Sequence, residues 1–178
     1  MQERKLNRLH GYDYSRDNVY YVTSCVQNMI CCFGEIVSTV EPRDSPHMIL
    51  NKFGKIAEKQ WNWLQEQYPY VVLHEFVVMP NHIHGIIEIN RLQIQSTIHW
   101  DVTSNKIKTL SELMGAYKTT VSRQIHLNGY LGFAWQRSYY EHIIRNGIES
   151  CKISDYIVNN PAKWDFDKFH SFRYLRYD

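Results

Sequence analysis

The chain has 178 residues, which fits one domain with a core of ordinary size. Its hydrophobic fraction of 44% and charged fraction of 21% exclude an intrinsically disordered protein. The formal net charge of +2 neither identifies nor excludes a nucleic-acid-binding protein, because such proteins concentrate their charge locally. Since we find no internal repeat and no domain boundary, we predict a single domain over residues 1–178.

The N-terminus and the cysteines predict a cellular compartment. The first residues, MQERKLNRLHGYDYS, lack the apolar centre of a signal peptide, and no apolar run is long enough to span a membrane. The cysteines form no CxxC pair, which favours buried reduced thiols over a zinc site or a disulfide framework: Cys25, Cys31, Cys32 and Cys151. We therefore predict a soluble, cytoplasmic protein with no membrane partner.

The first half of the chain is predicted to contain three strands and one helix. Residues 1–16 form a basic arm, and the Val-, Tyr- and Thr-rich stretch 18–28 is typical of a strand. After a turn-rich loop, apolar residues at helical spacing predict a helix that ends before Pro69. Two strands follow, YVVLHEFVVM and HIHGIIEI, joined by a Pro-Asn turn. Residues 90–108 are polar and have no clear period, so we predict a long loop there.

The second half is predicted to contain two helices and one strand. Thr109 and Glu112 make a capping box at the start of the helix TLSELMGAYKTTVSRQI. A strand follows in WQRSYYEHIIRN, Asn146 is placed to cap a last helix, and residues 161–178 form an aromatic and basic tail. The order β-α-β-β-α-β-α indicates an α+β, ferredoxin-like fold, with helices packed on a mainly antiparallel sheet.

His82 and His84 are unusual because they interrupt an apolar stretch, FVVMPNHIHGIIEI. Strand side chains alternate between faces, so both imidazoles point one way while Ile83 is buried on the other side. Two imidazoles a few ångströms apart are a natural pair of ligands for a divalent metal. Structural histidines are also common in strands, so the spacing alone leaves a metal site and a structural role equally open.

The last helix carries Lys152, Tyr156 and Asn160 at intervals of four residues, along one helical face. An ammonium, a tyrosine hydroxyl and an amide oxygen on one ridge suit a metal-assisted attack on a phosphate. The same spacing also fits a structural role, with Tyr156 in the core and Asn160 as a cap. Pro161 disfavours helical geometry at Asn160, so we expect the helix to end there.

A series of motifs along almost the whole chain resembles one known family. In order, they are RLHGYDYS, YYVTSCVQN, VVMPNHIHGIIEI, LSELMGAYKTTVSRQI, WQRSYYEHIIRN and DYIVNNPAKW. Together they resemble the HUH single-strand endonucleases that use one catalytic tyrosine. Within that group the chain is most similar to the REP-associated tyrosine transposases, relatives of the insertion-sequence transposases.

The resemblance implies a set of site residues and a cofactor. His82 and His84 match the metal-binding HUH pair, Tyr156 matches the nucleophile, and Asn160 matches a third, amide-type metal ligand. The implied cation is Mg²⁺ or Mn²⁺, although such hard cations normally prefer oxygen ligands. Lys152 is not part of the family motif, and its role in holding a phosphate or favouring the phenolate rests on helical spacing alone.

The resemblance also implies a reaction and a partner. Tyr156 would cleave single-stranded DNA by transesterification, remain joined to the 5′ phosphate and release a 3′-OH, so that strand transfer can follow. The implied substrate is a palindromic DNA hairpin with a short guide sequence near its foot. Relatives include both homodimers and monomers, which leaves the oligomeric state open, and the implied location is the nucleoid of a bacterial cytoplasm.

Several residues are candidates for contacts with a DNA hairpin. Arg4, Lys5 and Arg8 of the basic arm could reach phosphates. Tyr12 and Tyr14 could stack on bases. Lys118, on the small and basic face of the capped helix, and Arg123 complete the set, although simple solvation explains that face equally well.

Two other functions stay open at this point. One is a hairpin-binding DNA protein that keeps the fold without cutting. The other is a metal hydrolase that acts on small phosphoesters and needs no tyrosine. The hydrolase would stay active after the change Tyr156→Phe, whereas the binding protein would bind a hairpin tightly and form no covalent bond to it.

Overall fold

A computed structural model describes residues 11–38, 45–96 and 106–170 of the chain, with the side chains of 95 and 96 left aside. The basic-arm residues Arg4, Lys5 and Arg8 and the tail from 171 onward lie outside the described residues. Within the described part, no helix combines the length and the apolar character that a membrane crossing requires.

A four-stranded antiparallel sheet forms the centre of the protein, with the strand order β4-β5-β1-β6. Its strands are β1 (Asn18–Cys25), β4 (Val71–Met79), β5 (His82–Ile89) and β6 (Tyr140–Ile144). Two short strands, β2 (Gly34–Val37) and β3 (His47–Leu50), pair with each other in a separate ribbon. The helices are α1 (Lys52–Gln67), α2 (Leu110–Leu127) and α3 (Gly147–Val158), and a 3-10 helix follows at Pro161–Phe166.

The predicted α+β class and antiparallel sheet are confirmed. The Pro-Asn turn does join two antiparallel strands, β4 and β5. The β2–β3 ribbon was not predicted, because each strand has only four residues and gains its partners from the other. The last strand is also shorter than predicted and begins at Tyr140, since the preceding residues form only an isolated bridge between Trp135 and Val26.

Polar side chains set the start of each helix. Asn51 accepts hydrogen bonds from the backbone N–H groups of Phe53 and Gly54 at the start of α1. The predicted capping box of α2 is present, with Thr109 and Glu112 each bonded to the backbone of the other. Asn146 caps α3 as predicted, by accepting a hydrogen bond from the Glu149 N–H.

The main core lies between the sheet and the pair α1 and α2, which pack against each other. Trp61 of α1 stacks on Phe76 of β4 with ring centroids 4.5 Å apart, and Tyr117 of α2 meets Trp61 edge-on. Gly85 lies beneath these rings: a β-carbon at this position would sit 2.5 Å from Trp61 Cζ2. The glycine therefore allows the helix layer to approach β5 just one residue beyond His84.

The opposite face of the sheet is covered mainly by α3. Only Ile157 of this helix is fully buried, in a small cluster with Ile86 and Ile144. The helix ends at Val158, close to the end predicted from Pro161. Asn160 was expected to be non-helical, but its backbone angles are helical, with φ −61° and ψ −43°. The local preference is overridden because Asn160 is buried and begins the following 3-10 helix.

The close packing at Gly85 predicts a large difference between two glycine substitutions. We expect Gly85→Ala to lower the free energy of unfolding by about 1–3 kcal/mol, because the methyl group overlaps the Trp61 ring. Gly115→Ala is the matched control: its site on α2 is open, so alanine should raise stability by about 0.5–1 kcal/mol. Urea denaturation measures both. Equal stabilities for the two variants would contradict this account of the packing.

Candidate active site

His82 and His84 project from β5 onto the face of the sheet that carries α3, and both are fully buried. Their Nε2 atoms lie 3.0 Å apart. Tyr156 approaches from α3, and its hydroxyl lies 3.4 Å from His84 Nε2. The structure therefore brings the histidine pair and the tyrosine together within a single chain.

Asn81 sets the tautomer of His82. Its Nδ2 group donates to the backbone carbonyls of Met29 and Phe169, at 3.2 and 2.8 Å. Its Oδ1 atom therefore faces His82 Nδ1, at 2.8 Å, and an amide oxygen can only accept a hydrogen bond. The proton of His82 is held on Nδ1, and Nε2 keeps a lone pair that is directed toward His84.

His84 has partners that accommodate either tautomer. The hydroxyls of Thr23 and Tyr21, both from β1, lie 2.7 and 2.8 Å from its Nδ1 atom. A hydroxyl can donate or accept, so these groups also accept a proton carried on Nδ1. That tautomer frees His84 Nε2 to act as a ligand, in the way that metal-binding histidines usually donate their other ring nitrogen.

Asp167 joins the histidine pair and is a candidate ligand that no sequence motif marks. One of its carboxylate oxygens and one ring nitrogen from each histidine all lie within 4.8 Å of one another. The 3-10 helix Pro161–Phe166 turns the chain back toward the β4–β5 turn and thereby delivers this carboxylate. In the sequence, Asp167 is recognisable only as an acidic residue seven positions after Asn160.

Asn160, the predicted third ligand, lies beside Asp167. Its Nδ2 group donates to Asp167 Oδ2 at 3.2 Å. Asn160 is 2% exposed, and its Oδ1 atom is buried with no hydrogen-bond partner among the described residues. A buried amide oxygen without a partner is costly, and a cation would satisfy it.

The spacing of the two histidine nitrogens fits a hexacoordinate cation. Neighbouring ligands of an octahedral ion with bonds of about 2.1 Å lie about 3.0 Å apart. The two histidine Nε2 atoms have that separation. The carboxylate of Asp167 adds the oxygen donor that Mg²⁺ and Mn²⁺ prefer, so the residues present suit the implied cation.

Burial also sets the protonation states of the site. Desolvation, and then the positive charge of Lys168, lowers the pKa of His84 to about 3. Desolvation, then His84 and Lys168, lowers the pKa of His82 well below its ordinary value. Burial and the charge of Asp167 raise the pKa of Tyr156, against the hydrogen bonds of Asn160 and Tyr21. At neutral pH, both imidazoles are thus neutral and the phenol is protonated.

Comparison with known proteins identifies relatives of the whole chain. No family model matches it. An uncharacterized protein of Haemophilus influenzae is 33% identical over 180 residues, which cover 96% of this chain and 94% of that protein. The chain belongs to the same family as this Haemophilus protein.

Among solved structures, a REP-associated tyrosine transposase bound to a REP hairpin matches with a TM-score of 0.57. The match covers 94% of this chain and 77% of that chain, at 19% sequence identity. The two proteins therefore share a fold. The resemblance seen in the sequence motifs is confirmed at the level of the fold.

In the present protein, three lysines line the cavity beside Tyr156. Lys152, the predicted phosphate-holding residue, lines a cavity of about 810 Å³ together with Tyr156. Lys163 and Lys168 line the same cavity and had not been predicted. They were missed because they follow the last helix, where no regular period relates them to Tyr156.

The predicted DNA-contacting tyrosines have another environment. Tyr12 and Tyr14 meet edge-on and pack against the main core, with Tyr14 beside Tyr20 and the Tyr12 hydroxyl bonded to Asn18. Both tyrosines are partly buried, and their stacking on bases stays a prediction. The sequence around Tyr12 and Tyr14 contains no pattern that predicts the packing of their rings against the main core.

Lys118 and Arg123 line a second groove, of about 660 Å³, on the outer side of α2. The Lys118 ammonium is partly buried and donates to the backbone carbonyls of Gln136 and Arg137, at 2.6 and 3.3 Å. Arg123 is exposed. Of the two, Arg123 remains the better placed to reach a phosphate, and its DNA contact stays a prediction.

The lowered pKa of His84 predicts a pH dependence of stability in metal-free protein. Between its ordinary value of 6.5 and about 3, only the unfolded state binds a proton at this residue, so stability falls as the pH falls. We expect His84→Gln to remove up to about 1.4 kcal/mol per pH unit of that slope. Urea denaturation in EDTA between pH 7 and pH 4.5 measures it. Parallel curves for wild type and variant would contradict the prediction.

Proposed function

We propose that this protein is a metal-dependent single-stranded DNA endonuclease and strand transferase of the REP-associated tyrosine transposase type. One observation carries the proposal: the Tyr156 hydroxyl lies 3.4 Å from His84 Nε2, beside a cluster of His82, His84 and Asp167. A nucleophile next to a candidate cation site is the arrangement that phosphoryl transfer requires. The fold shared with a hairpin-bound transposase supports the choice of DNA as substrate.

Tyr156 supplies the chemistry of the first step. Its oxygen forms an ester bond to the scissile phosphorus while the bond from phosphorus to the 3′ oxygen breaks. The tyrosine loses its proton to solvent, and the departing 3′ oxygen gains one. The new phosphotyrosine conserves the energy of the phosphodiester, so the 3′-OH of a second strand can reverse the step and complete a strand transfer.

His82, His84, Asp167 and the Oδ1 atom of Asn160 are the residues that would hold the cation. When bound, Mg²⁺ or Mn²⁺ would withdraw negative charge from the scissile phosphate. Asn81 and the hydroxyls of Thr23 and Tyr21 orient the two imidazoles toward each other. His82 and His84 are fully buried, so a cation held by them would act on the phosphate through surroundings less polar than water.

The change Tyr156→Phe tests the nucleophile directly. We expect wild type to form a covalent protein–DNA band with single-stranded hairpin oligonucleotides taken from the flanks of the gene, in Mg²⁺ or Mn²⁺ and not in EDTA. The band should disappear in Tyr156→Phe, because the attacking oxygen is missing. Tyr68→Phe, a tyrosine in the main core, is the control and should keep the band.

Two outcomes would replace the proposal with one of its rivals. Tight hairpin binding without a covalent band under any metal would identify a DNA-binding protein that does not cut. Phosphoester hydrolysis that survives Tyr156→Phe would identify a metal hydrolase.

The carboxylate of Asp167 is expected to strengthen cation binding. We predict that Asp167→Asn weakens the binding of Mn²⁺ by at least about tenfold, because a neutral amide replaces a charged ligand. Asp165→Asn is the matched control, since Asp165 lies two residues earlier with its carboxylate 86% exposed. Isothermal titration of the DNA-free protein with Mn²⁺ gives both dissociation constants. Equal constants for the two variants would remove Asp167 from the ligand set.

A further inference from the structure

Two aromatic side chains with solvent-exposed surface line the cavity beside Tyr156. Phe166 is 92% exposed, the highest value among the large hydrophobic side chains of the described residues. Tyr140, on the edge strand β6, is 49% exposed and lines the same cavity. Single exposed apolar residues are common, but two rings in one cavity next to a nucleophile indicate a binding surface.

The charge of this cavity is positive. Its lining contains three lysines, Lys152, Lys163 and Lys168, and a single carboxylate, that of Asp167. The Lys168 ammonium lies over the Tyr140 ring, 6.0 Å from its centre, so a positive charge and an aromatic ring are adjacent in this cavity. Aromatic rings interleaved with ammonium groups suit a ligand that alternates flat bases with phosphates.

The position of Phe166 is set by buried neighbours. Trp164, two residues earlier, is 4% exposed and packs with Cys31 and Met79. The backbone N–H of Asp167 bonds to the Trp164 carbonyl and closes the turn. Phe166 is therefore presented to solvent by an anchored 3-10 helix.

Phe166 is also adjacent in the chain to Asp167, whose carboxylate belongs to the candidate cation site. Phe166 and Asp167 line the same cavity as Tyr156. A ligand in this cavity can therefore contact the aromatic ring and the candidate cation site together.

We propose that this cavity binds the unpaired nucleotides next to the scissile phosphate. Phe166 and Tyr140 supply stacking faces for the bases, and the three lysines contact the backbone phosphates. This inference rests on the proposed function and adds where the single strand is held. A duplex does not fit such a surface, because its bases are already stacked on one another, whereas an unpaired base offers a free face.

Stacking on Phe166 can be measured apart from cleavage. Binding is followed in the Tyr156→Phe background with Mg²⁺, using one hairpin oligonucleotide with a single-stranded tail and the same hairpin with blunt ends. A 2-aminopurine base in the tail reports stacking through the quenching of its fluorescence. The variants are Phe166→Ala and Phe166→Trp, with Leu131→Ala as control, because Leu131 is 80% exposed and lines neither groove.

We expect Phe166→Ala to weaken binding of the tailed hairpin by about 5- to 150-fold, the effect of losing one stacked base, and to reduce the quenching. Binding of the blunt hairpin should be unchanged. Phe166→Trp should restore both affinity and quenching, because a larger ring stacks at least as well. Leu131→Ala should match the background protein.

Two results would overturn the inference and leave the proposed function intact. One is unchanged affinity for the tailed hairpin in Phe166→Ala, while the protein with its tyrosine still forms the covalent band. The other is an equal loss on tailed and blunt hairpins, which would mean that the cavity binds duplex. If the protein binds neither hairpin and forms no covalent band, the proposed function fails together with the inference.

Discussion

The site depends on one constraint: two neutral imidazoles are buried side by side with their Nε2 atoms 3.0 Å apart. Two lone pairs at that distance repel each other, so either a proton or a cation must lie between them. The surrounding hydrogen bonds accommodate both states. Asn81 holds the proton of His82 on the far nitrogen, and the hydroxyls beside His84 either donate or accept. A polar pair in an apolar strand is stable here because each ring has a partner that suits it.

One face of the sheet carries the main core, and the other face carries the candidate active site. On one face, α1 and α2 bury a large aromatic and aliphatic core, and Gly85 lets Trp61 approach β5 closely. On the other face, α3 buries only Ile157 fully and leaves Tyr156 at the edge of an open cavity. Because β5 lies inside the sheet, the histidines take a rigid position from strands on both sides.

Three consecutive residues after α3 supply three kinds of interaction. Phe166 presents an aromatic ring, Asp167 a carboxylate and Lys168 an ammonium, all at the cavity of Tyr156. Trp164 anchors the segment in a small buried cluster, and Asn81 bonds the carbonyl of Phe169. The same amide thus orients His82 and holds the chain that carries Asp167. In this way Asn81 supports both the candidate cation site and the segment that lines the cavity beside Tyr156.

The sequence by itself determined the α+β class, the two capping motifs, the shared face of His82 and His84, and the pairing of Tyr156 with them. Strand alternation, capping chemistry and the resemblance carried by the motifs are all local or sequential signals. Only the tertiary structure decided that Asp167 joins the cluster, that Lys163 and Lys168 line the cavity, and that Tyr12 and Tyr14 pack on the core. These residues follow no helical or strand period relative to the site. Their positions come from how the chain turns after α3 and before β1, which long-range packing sets and local propensity does not.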